Sequence, residues 1–151
     1  MRPPMRLYPV FLDLRDRSVL VVGGGPVAAR KAKGLLKAGA RVTVVAPAFS
    51  RAFPKAVRRL KRRYRASDVR GNLLVVVATD DGALNVRIAR QARSAGALVN
   101  RADDAGDCDY HVPSVFRKGG LAVAVSTGGT SPALARRIRL DLLERYGGKA
   151  G

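Results

Sequence analysis

Cysteine is nearly missing from this chain, with Cys108 alone among 151 residues. One thiol cannot close an intramolecular disulfide, and it excludes a multi-cysteine zinc or iron–sulfur site. Histidine is equally scarce: His111 is the single copy, so a His-rich metal cage is excluded too. Acidic residues are few, 11 against 29 Lys and Arg, for a formal net charge of +18. No apolar run approaches the ~20 residues needed to span a bilayer. The basic start, Met1-Arg2-Pro3-Pro4-Met5-Arg6, leads into no apolar signal segment. These absences predict a soluble cytoplasmic protein that binds no metal of its own and has no membrane partner.

What is present suits a packed globule. Hydrophobic residues make up 47% of the chain, which argues against wholesale disorder. The length predicts a single domain over residues 1–151. A field as positive as +18 attracts polyanions and speeds their arrival. Nucleic acid, a small molecule with many carboxylates, and a generally arginine-rich host proteome all satisfy that charge.

Apolar runs alternate with helical stretches, the pattern of an α/β fold with a parallel sheet. Val19 to Val22 reads as a strand buried on both faces. Pro26 to Ala38 follows as a helix with Ala28, Ala32, Leu35 and Leu36 on one face and Gly39 as its stop. Arg41 to Val45 is the second strand. Between Arg51 and Arg70 the pattern is mixed, and a short helix followed by a third strand is expected, with Leu60, Arg62 and Tyr64 alternating. Leu73 to Val77 is a further strand. Asp80 or Asp81 can cap the next helix, whose Leu84, Ile88 and Ala92 share a face. Strands at Ala97 to Val99 and Leu121 to Val125 follow. Ser131 before Pro132 then opens a last helix, ending before Gly147-Gly148. The whole predicts a Rossmann-like, doubly wound, mostly parallel sheet with helices on both faces.

Gly23-Gly24-Gly25-Pro26-Val27-Ala28 lies between the first strand and first helix and matches G-x-G-x-x-A. Gly23 permits the tight turn, Gly25 lets backbone approach a pyrophosphate, and Ala28 lets helix and strand pack closely. Free N–H groups at the helix start then bind phosphate. Pro26 offers no N–H, a donor the helix does not need there. The acidic residue usual for the adenosine ribose is missing, since strand two ends Val44-Val45-Ala46-Pro47. The ribose is held another way, or the preference between NAD and NADP is loose. Where Arg41 and Arg51 stand does not follow from the sequence, so neither argues for a 2′-phosphate.

Several segments agree with one family. They are Tyr8 to Leu14, Val22 to Ala32, Ala78-Thr79-Asp80-Asp81 with Asn85, Asn100-Arg101-Ala102-Asp103, Pro113-Ser114, and Ser126-Thr127-Gly128-Gly129-Thr130-Ser131-Pro132. Together they resemble the N-terminal module of siroheme synthase and its stand-alone relatives, the precorrin-2 dehydrogenases, over nearly the whole chain. The last segment, spaced as it is from Asn100-x-x-Asp103, is the most specific. The resemblance implies oxidation of precorrin-2 to sirohydrochlorin with NAD, and in some members insertion of ferrous iron. It matches Asp103 to the family's central aspartate. It also implies that Pro26, Val27, Pro47 and Ala48 meet NAD through backbone atoms, with Gly23, Gly24, Gly25, Ala28 and Thr79 completing the cofactor site. Relatives continue into a helical dimerisation region that is expected to be absent here, leaving a homodimer or a partner chain to supply it.

In an open parallel sheet the ligand sits beyond the carboxyl ends of the strands. The segments after the strands are therefore expected to converge. Asp103 is the candidate base for the proton lost on oxidation; its plainer reading is a loop aspartate capping a turn. Asn100, Ser126, Thr127, Gly128, Thr130 and Ser131 are the candidate substrate contacts, the hydroxyls and the helix start suiting carboxylates. Ordinary capping by Ser131 or Thr130 is the plainer reading. Asp107, Cys108, Asp109 and His111 cluster without recognisable ligand spacing, so a solvated polar loop outweighs a metal site. Arg51 to Arg65 is rich in arginine and lysine without any nucleic-acid-binding motif, and a solvated surface outweighs a nucleic-acid patch. Two rival functions remain at this stage: an NAD-binding regulatory module without turnover, and a basic nucleic-acid-binding protein.

Overall fold

Valine-rich runs with no polar break form strands that are covered on both sides. In the computed structural model, which describes residues Pro3 to Gly148, β1 (Ser18–Val22) pairs in parallel with β2 (Arg41–Ala46) on one side and β4 (Leu74–Val77) on the other. β3 (Arg58–Lys61) adds beyond β2 and β5 (Leu98–Arg101) beyond β4, giving a five-stranded parallel sheet of order β3-β2-β1-β4-β5. Successive side chains alternate faces. Val19, Val21, Val42, Val44 and Val76 therefore pack with Ala28, Ala29 and Ala32 of α1 (Pro26–Lys37). Leu20, Val22, Val45, Val75 and Val77 pack with Ile88, Ala89 and Ala92 of α2 (Gly82–Ser94). The expected doubly wound sheet, with a helix on each face, is what forms.

Chain segments divide into two compact units. Leu12 to His111 holds the parallel sheet, α1 and α2. The other unit takes the described residues before Leu12 and those from Val112 on. In it β6 (Ser114–Lys118) and β7 (Leu121–Val125) form an antiparallel hairpin, followed by α3 (Pro132–Leu142) and a wider last turn, Leu143–Gly147. Phe116 and Ala135 are its buried apolar residues.

Two expectations change. The short helix after Arg51 does not form; Arg51 to Val57 makes turns, anchored by the buried Phe53 and Val57. Pro54 lacks the donor a helix interior would use, and Arg59 donates instead to the Phe53 carbonyl at 3.1 Å. The third strand is present but ends at Lys61. Arg62 turns aside to hold Asp68 at 2.7 and 2.9 Å, and the Tyr64 hydroxyl donates to Gln91 of α2 at 2.8 Å. The second change is β6. Leu121 to Val125 is a strand as expected, but its neighbour is β6, joined through Gly119-Gly120. A Gly-Gly pair between two such runs is a hairpin signal.

Ile88, fully buried between α2 and the sheet, tests this packing. Ile88→Ala should cost about 2–5 kcal/mol in urea unfolding. A change within the ~0.5 kcal/mol typical of surface sites would contradict the burial.

Candidate functional site

All five strands run parallel, so the segments following β1, β2, β4 and β5 leave the same edge of the sheet. Backbone hydrogen bonds tie them side by side. Gly23 N–H donates to Val45 O at 3.0 Å, Ala78 N–H to Val22 O at 2.8 Å, and Ala102 N–H to Val77 O at 2.9 Å. The glycine turn is the tightest point. Gly23 has φ +134°, and a Cβ there would overlap the Ala78 carbonyl. A Cβ on Gly24 would overlap the Ala48 carbonyl, and Ser50 N–H donates to Gly24 O at 2.7 Å. Gly24 occupies an unspecified position of the motif, so its close packing had no signal in the spacing. Gly25 has open space where a Cβ would stand. It is the N-cap of α1, with no side-chain cap and no acidic residue in the first turn. The Val27 and Ala28 N–H groups of that turn have no intrahelical acceptor, and the helix dipole favours an anion there. Open backbone at Gly25, free donors and no nearby carboxylate in the turn fit a dinucleotide pyrophosphate. Pro47 and Ala48, exposed beside Gly24, complete this rim.

After β4, Thr79 donates its hydroxyl to Asn85 Oδ1 at 2.5 Å, and Asn85 Nδ2 donates to Thr79 O at 3.0 Å. Asn85 is buried on α2. Asp81, one of the two candidate caps, is the one that caps α2, accepting from Leu84 N–H at 3.0 Å. The Thr79 side chain and carbonyl are thus both tied to Asn85 of α2.

The end of β5 holds the densest polar network. Asn100 accepts from the half-buried Lys31 of α1 at 2.8 Å and donates to Tyr110 O at 3.0 Å. Burial holds the Lys31 ammonium below its ordinary pKa. Arg101 is 8% exposed and grips Asp103 through two hydrogen bonds, 3.1 and 2.9 Å, while its other terminal nitrogen meets Asp107 at 2.6 Å. The Arg101 guanidinium, and after it the Asn85 side chain, hold the Asp103 carboxyl below the usual carboxylate range. Asp103 is therefore ionised at neutral pH, with its carboxylate one-third exposed (34%). Arg101 is the residue of this network that the sequence did not single out. It stood inside the quoted Asn100-x-x-Asp103 segment, and its burial at a strand end is visible only in the fold.

The polar loop after Asp103 is an arginine-bound loop. Arg93 holds Asp107 at 2.8 Å and Asp109 at 3.0 Å. Arg101 N–H donates to Cys108 Sγ at 3.1 Å. Burial raises the Cys108 thiol. Among the described residues no group of three or more His, Cys, Asp and Glu is arranged to hold a metal.

In the other unit, Ser126 to Ser131 forms a self-bonded turn. Ser126 Oγ accepts from Gly128 N–H at 3.1 Å, and Thr127 Oγ1 accepts from Ser131 N–H at 3.0 Å. Thr130 donates to Thr127 O at 2.7 Å. Ser131 caps α3 by accepting from Leu134 N–H at 3.1 Å, the plainer of its two expected roles. Gly128 and Gly129 take positive φ.

The fold and the glycine turn define a dinucleotide-binding domain of the Rossmann type. Residues 10–114 match a family model described as "Putative NAD(P)-binding", and residues 118–145 match one described as "Sirohaem biosynthesis protein central". A precorrin-2 dehydrogenase of Priestia megaterium is 42% identical over 145 residues, 93% of this chain and 71% of that protein. A siroheme synthase of Nitrosomonas eutropha is 41% identical over 144 residues, 91% of this chain and 30% of that protein. The chain thus spans about 30% of the length of the siroheme synthases it matches. Among solved structures, that of SirC, a precorrin-2 dehydrogenase, superposes with a TM-score of 0.77 at 39% identity, covering 93% of this chain and 71% of that one. The chain belongs to the family that precorrin-2 dehydrogenases and siroheme synthases share.

The Arg101 grip has a pH consequence. Its folded-state effect puts the Asp103 pKa below the unfolded value of about 3.9. The pair therefore stabilises the fold above that value, and its contribution is lost as pH falls through the lower folded value. Arg101→Met should move the Asp103 carboxyl titration upward when followed by carbon NMR. An unchanged titration would mean that Arg101 does not set the charge of Asp103.

Proposed function

We propose that this protein oxidises precorrin-2 to sirohydrochlorin, a step in siroheme formation, with NAD. The observation that carries the reading is Asp103. It is an ionised carboxylate held by a buried arginine on the sheet edge that also bears the open glycine turn. Support comes from a named precorrin-2 dehydrogenase at 42% identity over 93% of the chain.

NAD, when bound, supplies the two-electron acceptor. Gly25, Val27, Ala28, Pro47 and Ala48 would hold it through backbone. Asp103 takes the proton that leaves the substrate alongside the hydride. Its Arg101 partner keeps it charged and aimed, so it is ready to accept without first losing a proton. A carboxylate with a depressed pKa is a weak base, and rapid onward transfer to water through its exposed side keeps it available. The positive field, +18 over the chain, draws in a substrate rich in carboxylates. In the other unit the Ser126 to Ser131 turn, with the start of α3, offers hydroxyls and a helix N-terminus that suit carboxylates. The single thiol and the lack of a membrane-spanning helix among the described residues suit work in a reducing cytoplasm.

Asp103→Asn removes the acceptor while keeping the shape. It should lower dehydrogenation at least ~100-fold, followed anaerobically as the sirohydrochlorin spectrum appears from precorrin-2 and NAD. Near-normal turnover of the variant would take Asp103 out of this role. A wild-type chain that binds NAD but never changes the spectrum would overturn the enzyme reading.

A further inference from the structure

Dinucleotide folds choose between NAD and NADP at the end of the second strand. A carboxylate there receives the ribose 2′-hydroxyl, and an arginine nearby accommodates a 2′-phosphate. In this chain β2 ends at Ala46, and no acidic residue occurs from Ala46 to Ser67. The fold separates the two arginines near that strand. Arg41 starts β2, at the opposite edge of the sheet from the glycine turn, and reaches Ser18 there at 3.3 Å. Arg51 follows the carboxyl end of β2 and is exposed.

The segment carrying Arg51 is built onto the glycine turn. Ser50 N–H bonds Gly24 O at 2.7 Å, and the Ala48 carbonyl packs against Gly24 with no room for a Cβ. Its far side is braced. Phe49 and Phe53 meet edge to face at 5.7 Å, and the Arg59 guanidinium stands 5.9 Å from the Phe49 ring centre. Arg59 also donates to the Phe53 and Pro54 carbonyls. The segment that carries Arg51 and lacks any carboxylate therefore adjoins the dinucleotide turn.

We infer that the adenosine end of this site accepts a 2′-phosphate, with Arg51 as the group that receives it, so that NADP binds at least as well as NAD. The inference rests on the cofactor reading above and goes beyond it by naming the specificity-determining residue.

Calorimetric titration of the full chain with NAD and with NADP tests it without any substrate. Wild-type protein should bind NADP no more weakly than NAD. Arg51→Ala should weaken NADP about tenfold or more, the loss expected for one charge-assisted phosphate contact, and leave NAD within about twofold. Arg41→Ala should change neither and separates a local contact from the general positive field. Circular dichroism of each variant checks that the fold is kept. NADP binding tenfold weaker than NAD in the wild type, or an equal loss from Arg41→Ala and Arg51→Ala, overturns the 2′-phosphate site while leaving the cofactor reading intact. Failure of both dinucleotides to bind overturns both.

Discussion

At the carboxyl edge of the sheet, three backbone segments meet at closer range than side chains allow. β1 is the central strand, and its turn is pressed between the Ala78 carbonyl after β4 and the Ala48 carbonyl after β2. Only glycine fits at Gly23 and Gly24, the first because of both its φ and its neighbour, the second because of its neighbour alone. That contact brings the loops after β1, β2 and β4 into one rim. It also leaves Gly25, the next residue, with its backbone open at the start of α1. Crowding at two glycines and vacancy at the third have one cause: the turn must reverse direction between two neighbouring strands and still present helix donors outward.

Charge is arranged with similar economy. Acidic residues number 11 in the chain, and several are gathered onto a few arginines: Asp103 and Asp107 on Arg101, Asp107 and Asp109 on Arg93, Asp68 on Arg62. Pairing a nearly buried guanidinium with carboxylates meets the cost of burying it. It also settles the ionisation of the candidate base. Lys and Arg outnumber Asp and Glu by 29 to 11, so most cations are left over from these pairs, and the excess generates a field that favours anionic ligands.

The parts of the fold that were legible are those whose pattern comes from burial on two faces. Val19 to Val22 and Leu74 to Val77 have nothing polar to place outward, and α1 and α2 show single apolar stripes with clear stops. The stretch from Arg51 to Val57 misled because Phe53 and Val57 fall at helical spacing while serving as anchors of turns. β6 escaped notice because Ser114 to Lys118 is half-buried and mixed in polarity, and its identity as a strand comes from pairing with β7 across Gly119-Gly120. In the site, the glycine turn stood out through its spacing, and Asp103 through the family resemblance. Arg101 and Lys31 did not: Lys31 meets Asn100 across 69 residues of chain, and the burial of Arg101 comes from the packing around the end of β5.

The sequence by itself determined the class of fold, the position of the dinucleotide turn, the missing ribose carboxylate and the aspartate to suspect. These depend on local periodicity, on backbone freedom at glycine and on residue type, all of which are written in short windows. Only the tertiary structure decided that Gly24 as well as Gly23 has no room for a Cβ, that Arg101 is buried against Asp103 and Asp107, and that Arg51 rather than Arg41 follows the carboxyl edge of the sheet. The first and last depend on which strand lies beside which and on the direction it runs, and the burial of Arg101 on what packs around the end of β5. Such pairings are made by packing over tens of residues, and no local pattern encodes them.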